Sequence, residues 1–405
     1  MGAFQQAFKM LRVLPALRRA VPSGARGLSS TRVTPRVYSY GDGYLGTLGQ
    51  DNFDAVAAPT PIAPFDNVEI ASLSCGWAHT GLLDVDGNAY VFGRSHHFRN
   101  VIRSINMQRM VPYFMKFVNT VGGERTVEAF RPTLIDLPAK ATAISCGAAL
   151  SLYLTETGDL YSNGGNSYGQ CGIGNENTSV WEPTKIKLPP VATMAAGFQH
   201  ALAVTTNGQV YGWGKGERGQ LGFGTVNVSA PQHIVALREK NVVQVGAGFN
   251  HSVALTDAGE VFVWGKLLGA DKYGRKTGED QVTPRLVQTA APVTHIKTSF
   301  FHSFMVTEDG QLWCMGRSQA SQHAEVAQRK YPETHIAPHA IDNSFLRGRR
   351  IQHLGGGVHS TSLVTDDGKA YEWDWEQGFR AIDATKDLHV LAFERGYGTN
   401  FVLAK

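Results

Sequence analysis

Apolar and polar residues alternate in short stretches along most of the chain, and turns that contain glycine separate these stretches. One unit recurs: a small residue and glycine, a histidine, several apolar residues, a turn of the Asp-Gly type, and an aromatic residue followed by glycine. The six complete copies have their turn glycines at Gly87, Gly158, Gly208, Gly259, Gly310 and Gly368. Alternation with a period of two, interrupted by such turns, predicts β-strands joined in hairpins.

Two incomplete copies flank the six complete ones and complement each other. Val37–Gly41 has the pattern of the second half of a unit, and Leu388–Ala404 has that of the first half. His200, His251 and His302 lie 51 residues apart, and a period of about 50 residues is typical of a four-stranded propeller blade. We therefore predict an all-β fold, a seven-bladed β-propeller that is closed by pairing of the N- and C-terminal half-units. Closure removes the open sheet edges that an incomplete ring would expose.

Three glycine-rich loops carry a resemblance to a known family. Their sequences are Gly214-Lys-Gly-Glu-Arg-Gly-Gln-Leu-Gly-Phe-Gly224, Tyr168-Gly-Gln-Cys-Gly-Ile-Gly174 and, more loosely, Gly43-Tyr-Leu-Gly-Thr-Leu-Gly49. They resemble the diagnostic loop of the regulator of chromosome condensation (RCC) repeat family. The resemblance implies a seven-bladed propeller and covers essentially all of residues 37–405, so we expect an RCC-like member of this family.

The conspicuous side chains of the repeat are expected to be structural. Histidine occupies the same position in five units, at His79, His200, His251, His302 and His359. Equivalent copies suit hydrogen bonds between blades, in which the ring nitrogens are satisfied, better than they suit a metal or catalytic site. The aromatic residues that precede the repeat glycines are expected to fill the space between blades.

The charge distribution predicts where the protein goes rather than what it binds. Of the 405 residues, 38 are Lys or Arg and 34 are Asp or Glu, which gives a formal charge of +4. Residues 1–32 hold six of the cations and no acid, so the rest of the chain carries −2. This basic, amphipathic, acid-free segment is typical of a mitochondrial transit peptide, and we expect location in the matrix or on the matrix face of the inner membrane. The alternative is a basic surface arm that stays on the protein.

Several classes of chemistry find no support in the sequence. Gly214-x-Gly216-x-x-Gly219 matches a dinucleotide fingerprint, but no helical pattern follows it. Cys75, Cys146, Cys171 and Cys314 form no CxxC pair, and we expect buried, reduced thiols. No apolar run approaches the ~18 residues that span a bilayer. We expect no catalytic residue, no metal and no cofactor, and hence a binding propeller that is not an enzyme and is monomeric.

The repeat is interrupted at residues 94–131, and we expect this segment to be an insertion in a single propeller that spans 33–405. It mixes basic and large apolar residues, as partner interfaces do. Its stretch from Phe98-Arg99-Asn100 to Met110-Val111-Pro112 loosely resembles the wedge with which the family's nuclear member, an exchange factor for the small GTPase Ran, helps to expel nucleotide. The alternative is a cap folded over the propeller rim. The candidate partner-binding residues are His97, Phe98, Arg99, Asn100, Arg103, Arg109, Tyr113 and Phe114.

A second interruption lies at residues 317–350, where cations outnumber anions. Such a stretch suits contact with RNA or another phosphate-bearing partner, although a solvated loop gives the same composition. The candidate residues of this RNA or phosphate patch are Arg329, Lys330, Arg347, Arg349 and Arg350.

Two functions remain open at this point. By resemblance, the protein is a guanine-nucleotide exchange factor for an organellar GTPase. Alternatively, it is a scaffold in the maturation of mitochondrial ribosomes, rRNA or transcripts, or in respiratory-complex assembly. The plant ultraviolet photoreceptor branch of the family is set aside, because only Gly76-Trp77-Ala78-His79-Thr80 resembles its repeated tryptophan motif, and Phe198 and Phe249 replace the other tryptophans.

Overall fold

A computed structural model describes residues 35–43, 46–52, 54–93, 131–175, 177–266, 281–316, 338–357, 361–374 and 378–405. Within these residues the regular structure consists of 28 β-strands and four short 3-10 turns. The strands form seven antiparallel sheets of four strands each, so the predicted seven-bladed, all-β propeller is confirmed.

Six of the blades are continuous in sequence and follow an opening hairpin. The chain begins with β1 (Arg36–Gly41) and β2 (Val56–Pro61). Blade 1 contains β3 (Ile70–Cys75), β4 (His79–Asp84), β5 (Ala89–Gly93) and β6 (Thr133–Leu134). Blade 2 contains β7 (Ala141–Cys146), β8 (Leu150–Thr155), β9 (Leu160–Gly165) and β10 (Ser179–Lys185). Blade 3 contains β11 (Val191–Ala196), β12 (His200–Thr205), β13 (Val210–Gly214) and β14 (Val228–His233).

The second half of the chain repeats the same plan. Blade 4 contains β15 (Val242–Ala247), β16 (His251–Thr256), β17 (Val261–Gly265) and β18 (Gln281–Val287). Blade 5 contains β19 (Val293–Thr298), β20 (His302–Thr307), β21 (Leu312–Gly316) and β22 (His339–Ala340). Blade 6 contains β23 (Ile351–Gly355), β24 (Ser362–Thr365), β25 (Ala370–Asp374) and β26 (Gly378–Ala381). The chain ends with β27 (Val390–Arg395) and β28 (Thr399–Ala404).

The two ends of the chain build blade 7 together. Its strand order is β2-β1-β28-β27, and β1 pairs with β28 from Arg36 opposite Ala404 to Gly41 opposite Thr399. The two complementary half-units of the sequence therefore meet as predicted. Blade 7 closes the ring with backbone hydrogen bonds between strands that lie at opposite ends of the chain.

The hydrophobic core lies between neighbouring blades. The first strands of adjacent blades pack side by side around the axis, for example β3 against β7 and β11 against β15. Every residue of the second strands β4, β8, β12, β16, β20 and β28 is buried, because blades cover both faces of these sheets. One core cluster joins Leu152 of blade 2 to Ala203 and Trp213 of blade 3.

The tight turn between the second and third strands depends on glycine. Gly208 has a φ of +80°, and a Cβ atom at this position would lie 2.4 Å from Asn241 Oδ1. A side chain at this position would therefore meet both a backbone penalty and a steric clash. Among the residues that the structure describes, no helix is both long and apolar enough to cross a membrane.

Candidate interaction face

The repeat histidines link neighbouring blades. In four consecutive examples, the Nε2 atom of a histidine lies within hydrogen-bonding distance of a hydroxyl on the next blade. The pairs are His79–Ser151 at 3.0 Å, His200–Ser252 at 2.9 Å, His251–Ser303 at 3.0 Å and His302–Thr361 at 2.7 Å. The predicted contacts between blades are confirmed for these four, whereas His359 lies outside the described residues. The expectation that both ring nitrogens are satisfied is wrong for His200, whose buried Nδ1 has no hydrogen-bond partner among the described residues.

Burial keeps the imidazoles of His200 and His251 neutral. It lowers the pKa of His200 to about 4 and, with the neighbouring histidines, that of His251 to about 3. A neutral ring fixed by a hydroxyl on the next blade is neither exposed to a substrate nor poised to exchange protons near neutral pH. The repeat histidines therefore stabilise the contacts between blades.

The glycine-rich loops that carry the family resemblance form hydrogen bonds with the next blade. Trp213 of blade 3 donates its indole N–H to the carbonyl of Gln170 in the loop of blade 2, at 2.9 Å. Trp264 of blade 4 donates in the same way to Gln220 in the loop of blade 3, at 2.8 Å. Leu221 of that loop is fully buried. The expected role of these tryptophans between blades is confirmed, and the loop at residues 214–224 leads into a strand rather than a helix.

The two ends of the blades differ in what they carry. In blade 3, β11 ends at Ala196 and β12 begins at His200, which pairs with Gly214 at the end of β13. One end of every blade thus carries the first-to-second and third-to-fourth connections, and we name this end the aromatic face. The other end carries the second-to-third turns and the links to the next blade, and we name it the turn face.

The aromatic face takes its name from six rings at the inner connections of five blades. We name these rings the aromatic collar, and they are Trp77, Phe198, Phe249, Phe300, Phe301 and Tyr397. Trp77 stacks on Phe300, with 5.9 Å between ring centroids, and on Tyr397, with 5.1 Å. Phe198 stacks on Phe249 at 4.0 Å and meets Trp77 edge-on at 5.5 Å. The rings form one connected group although they come from blades distant in sequence.

Backbone hydrogen bonds hold the collar in place. The N–H of Trp77 donates to the carbonyl of Gly147 on the next blade, and that of Phe198 donates to the carbonyl of Gly248, at 3.0 and 2.9 Å. The N–H of Phe249 donates to Phe300 at 2.7 Å. The backbone of these three collar residues is therefore anchored by bonds that cross between blades, near the propeller axis.

Two long connections start from the aromatic face. Gly93 and Gly316 end the third strands of blades 1 and 5, opposite His79 and His302. The connections that follow them, at residues 94–132 and 317–338, are longer than the one from Gly214 to Val228 in blade 3. The eight candidate partner-binding residues, His97 to Phe114, lie outside the described residues, so their role stays a prediction.

The structure describes three of the five residues of the predicted phosphate patch, and they lie on the turn face in the link between blades 5 and 6. Arg349 contacts Asp367, with 2.8 Å between Nε and Oδ2, and donates to the hydroxyl of Tyr371 at 3.1 Å. Arg350 contacts Asp366 at 3.2 Å. Arg347 follows the 3-10 turn Ser344–Leu346 and is exposed. Two of these cations therefore have acidic neighbours, while Arg329 and Lys330 lie outside the described residues.

A cluster around the buried carboxylate of Glu394 interrupts the repeat on the first strands of blades 5, 6 and 7. Glu394 lies 2.7 Å from Lys297 Nζ and 3.2 Å from His353 Nε2, and it accepts the N–H of Gly356 at 2.9 Å. Burial alone would raise the pKa of Glu394, but Lys297 and His353 outweigh it and lower the pKa below its usual value. At the corresponding positions Ser74 and Ser145 accept backbone N–H groups of the next blade.

The cysteines are thiols without a redox or metal partner among the described residues. Cys146, Cys171 and Cys314 are buried, and Cys75 is half-buried. Burial raises the pKa of Cys146 and of Cys171 to about 12. Thiols with such a raised pKa are poor nucleophiles, in agreement with the expectation of buried, reduced cysteines.

Comparison with known proteins agrees with the architecture. Two family models, each described as "Regulator of chromosome condensation (RCC1) repeat", match the chain. The first matches residues 36–83, 157–204 and 207–255, and the second matches 141–170, 191–220 and 293–322. These matches fall on blades that the structure describes and include the loops that dock between them.

Three curated relatives show how far the similarity extends. Protein pim1 of Schizosaccharomyces pombe is 26% identical over 91% of this chain and 72% of its own. The secretion-regulating guanine nucleotide exchange factor of Mus musculus is 25% identical over 86% of this chain and 76% of its own. The mitochondrial RCC1 domain-containing protein RUG3 of Arabidopsis thaliana is 29% identical over 59% of this chain, which corresponds to about half of RUG3, 52%.

Solved structures share the fold at lower sequence identity. Human WBSCR16 superposes with a TM-score of 0.70 at 20% identity, over 92% of this chain and 99% of its own. Prp20p of Saccharomyces cerevisiae, whose structure is reported with its binding to Gsp1p and histones, gives 0.70 at 19% identity over 92% of both chains. Since the repeat models match segments of six of its seven blades, the chain belongs to the regulator of chromosome condensation (RCC1) repeat family.

Proposed function

We propose that this protein is a non-enzymatic mitochondrial interaction propeller that accelerates nucleotide release from an organellar GTPase through its aromatic face. One observation carries the proposal: the aromatic collar and the starting points of the two long connections, after Gly93 and Gly316, lie on the same face. Loops grouped at one end of a rigid scaffold are the usual place of function in such folds. The name of the mouse relative, an exchange factor, supports the choice of activity.

Nucleotide exchange requires binding energy and no covalent chemistry. A protein that binds the nucleotide-free form of a GTPase more tightly than the nucleotide-bound form shifts the population towards release. A rigid platform suits this task because little binding energy is lost in ordering it. The absence of a catalytic role for the repeat histidines is compatible with this mechanism.

We assign the partner contact to the insertion at residues 94–131. Its candidate residues His97, Phe98, Arg99, Asn100, Arg103, Arg109, Tyr113 and Phe114 combine rings with cations. The insertion begins at Gly93, on the aromatic face. Aromatic and arginine side chains contribute most to binding energy in protein interfaces.

A nucleotide-release assay tests the proposed activity. Purified protein without residues 1–32 is mixed with matrix and inner-membrane GTPases loaded with fluorescent GDP, and release is followed with excess GTP. We expect a rate increase of about tenfold or more with one GTPase, and loss of that increase when residues 95–130 are replaced by a short Gly-Ser linker. Arg347→Ala, on the turn face, serves as the matched control and should keep the full rate. Failure to accelerate any of the GTPases contradicts the proposal.

The mitochondrial location rests on residues 1–32 and on the mitochondrial relative RUG3. We expect the protein isolated from mitochondria to begin after the basic segment, near Val33. N-terminal sequencing measures this directly. A protein that is recovered from mitochondria with Met1 intact contradicts a cleaved transit peptide.

The described part of the phosphate patch does not support the alternative role as an RNA or ribosome scaffold. Arg349 and Arg350 each contact an aspartate of blade 6, which reduces the positive field available to phosphates. Crosslinking to RNA within intact mitochondria separates the two roles. Crosslinked rRNA or transcripts, lost on combined substitution of Arg329, Lys330 and Arg347, would support the scaffold instead.

A further inference from the structure

Proline occupies one position on the outer strand of six blades. The outer strand is the fourth strand of blades 1 to 6 and β2 of blade 7. Each outer strand ends at or just before an apolar residue that pairs with the start of the third strand, as Ile234 donates its N–H to the carbonyl of Val210 at 2.8 Å. Three residues before this apolar residue, the chain has Pro59, Pro132, Pro183, Pro231, Pro284 and Pro338.

These prolines lie on the side of the strand that faces away from the sheet. In an antiparallel sheet each residue directs its N–H and C=O to the same neighbouring strand, and successive residues alternate between the two sides. Gln232 and Ile234 face β13, so Pro231 faces outwards. Proline has no N–H to donate to an added strand and therefore protects an exposed edge. It is present even directly before β6 and β22, which have only two residues each.

Blade 6 has no proline at this position. Its outer strand β26 is followed by Ile382, which donates to the carbonyl of Ala370 at 3.0 Å, and the residue three positions earlier is Phe379. Arg380 and Ile382 face β25, so Phe379 and Ala381 direct their N–H and C=O groups outwards. The edge of blade 6 therefore keeps a backbone donor that proline removes in the other six blades.

The side chain of Phe379 leaves this edge open, because it packs between blades 5 and 6. Its ring is buried, stacks on Phe345 with 5.3 Å between centroids, and meets Phe304 of blade 5 edge-on at 5.6 Å. Arg380 and Ala381 are exposed. Within the part of the chain that the structure describes, β25 is the only strand that pairs with β26. An added strand would therefore meet backbone donors and acceptors along the outer side of β26.

Elsewhere in the molecule the outer strands bind polypeptide backbone. The carbonyl of Ser229 on β14 accepts the N–H of Gly174, from the loop of blade 2, at 2.8 Å. The carbonyl of Val282 on β18 accepts the N–H of Gly224, from the loop of blade 3, at 3.4 Å. Alternating N–H and C=O groups at strand spacing match the backbone of an extended polypeptide, which is the basis of recognition by strand addition. The chemistry of the edge thus identifies its occupant as an extended segment of protein.

A second copy of the chain fits this edge poorly. The antiparallel register that uses both outward residues of each copy pairs Phe379 with Ala381 and places Arg380 opposite the same arginine of the second copy. Like charges directly opposite each other are destabilising. A stable dimer also needs roughly 20–30 residues on each side, whereas β26 has four. A flexible segment of another protein meets neither restriction.

We propose that the outer edge of β26 accepts an extended segment of a partner protein as a fifth strand of blade 6. The segment pairs with the backbone of Phe379 and Ala381, and its side chains alternate between the two faces of the sheet. Apolar side chains lie on the side of Phe379 and Phe345, and polar side chains lie on the side of Arg380. This edge lies on the circumference of the ring, so the docking is independent of the aromatic face and of any exchange activity.

Hydrogen exchange in the full chain provides the first test. We expect the backbone amides of Phe379 and Ala381 to exchange at least about tenfold faster than those of Arg380 and Ile382, which donate to β25. Equal protection of all four amides in the isolated protein would overturn the proposal, because the chain itself or a second copy would then cover the edge.

Ala381→Pro closes the edge with a substitution that the fold already contains. Pro61 occupies the equivalent position in blade 7, one residue before Ile62. Since Ala381 is exposed and its N–H faces outwards, the variant should keep the parent's unfolding midpoint. Random peptides on phage are selected against the full chain and counter-selected against Ala381→Pro. We expect enriched peptides that alternate apolar and polar residues and contain no proline among them.

N-methylation of an enriched synthetic peptide shows whether its backbone pairs with β26. Methyl groups on alternate amides should lower the affinity in fluorescence anisotropy by about tenfold, and those on the intervening amides should have little effect. The bound peptide should also slow the exchange of Phe379 and Ala381. Leu286→Pro is the matched control, because it removes the outward N–H at the equivalent position of blade 4, where Pro284 already protects the edge. This variant should bind the peptide as the parent does.

Two results of the peptide experiments would overturn the proposal. Either no peptide survives the counter-selection, or N-methylation lowers the affinity without alternation along the peptide. Dimers in sedimentation velocity that are lost in Ala381→Pro would overturn it in favour of a second copy. Nucleotide release is measured separately, and neither result depends on the other.

Discussion

At the residue scale, the buried histidines couple the stability of the ring to pH. His200 and His251 are buried between blades and contact Ser252 and Ser303 through Nε2. Each folded-state pKa lies well below the ordinary value of 6.5 because the charged ring would lose its hydration. These side chains stabilise the fold only while they are neutral.

Acid should therefore destabilise the protein in a defined window. Between pH 6.5 and about 4 the unfolded chain binds protons at His200 and His251 that the folded protein does not bind, so the free energy of unfolding falls with falling pH. Each of the two groups contributes a slope of up to about 1.4 kcal/mol per pH unit. Urea unfolding at a series of pH values measures this. A free energy that is constant from pH 7 to pH 5 would contradict the assignment.

Removal of one of these rings should cost stability without changing the fold. In His251→Ala, Ser303 loses its contact with Nε2 and keeps only its bond to Thr298 Oγ1, a cavity forms, and we expect a loss of about 1–3 kcal/mol in urea unfolding. His295→Ala is the matched control, because His295 is exposed on β19 and contacts only its neighbour Thr294 among the described partners. It should change the free energy by less than about 0.5 kcal/mol. Equal effects of the two substitutions would show that His251 is not a link between blades.

At the scale of the elements, side-chain hydrogen bonds connect neighbouring blades, whereas backbone hydrogen bonds connect the strands within each blade. Gln244 on β15 is an example: its amide donates to the carbonyl of Ile296 at 2.9 Å and accepts the N–H of Ile296 at 3.1 Å. Glu394 on β27 holds Lys297, His353 and Gly356 in a similar way. The first strands are thus connected around the axis although they share no sheet.

Glu394→Gln tests this connection. The substitution leaves Lys297 half-buried without its counter-charge, and we expect a loss of about 3 kcal/mol in the free energy of unfolding. Asp51→Asn provides the control, because it removes one partner of the Arg131–Asp51 pair, in which both side chains are at least half-exposed. Asparagine also tolerates the φ of +64° at this position. The control should lose less than about 1 kcal/mol, and an equally small loss in Glu394→Gln would contradict a structural role for the cluster.

The sequence predicts these elements unevenly, and the reason lies in the repeat. Features that recur with the period, such as His200 and Trp264, identify both the blade and the role of the side chain. The repeat does not predict the cluster around Glu394, because Lys297 and His353 lie far from Glu394 in sequence and interrupt the repeat. The repeat predicts the aromatic collar only in part. Phe198 and Phe249 occupy equivalent positions in the sequence, but their contacts with Trp77 and Tyr397 depend on the closed ring.

At the scale of the whole molecule, the two faces are unequal and the ring depends on both termini. The aromatic face carries the collar and the long connections, while the turn face carries the hairpins and Arg347, Arg349 and Arg350. The predicted phosphate patch groups residues from one continuous segment of the sequence, 317–350. The structure places its last three arginines at the other end of the blade from Gly316, because β22 crosses the blade between them.

Removal of β28 should abolish the closed ring. A chain that ends at Gly398 lacks the strand between β1 and β27, so we expect loss of cooperative unfolding and association through the open edges. Size-exclusion chromatography and urea unfolding measure both effects. Removal of residues 1–32, which precede β1, should leave a monomer with the parent's unfolding midpoint. A monomeric, cooperatively unfolding chain that ends at Gly398 would contradict the role of blade 7 in closure.

The pairing of β1 with β28 also sets the order of events during biosynthesis. Arg36 is among the first residues of the propeller to leave the ribosome, yet it pairs with Ala404 on β28, the last strand of the propeller. Until β28 has been synthesised, β1 and β2 can form only a hairpin, and isolated hairpins are marginal in water. Nascent chains therefore expose unpaired strand edges that favour misassembly. We infer that blade 7, and with it the closed ring, forms only after β28 has left the ribosome.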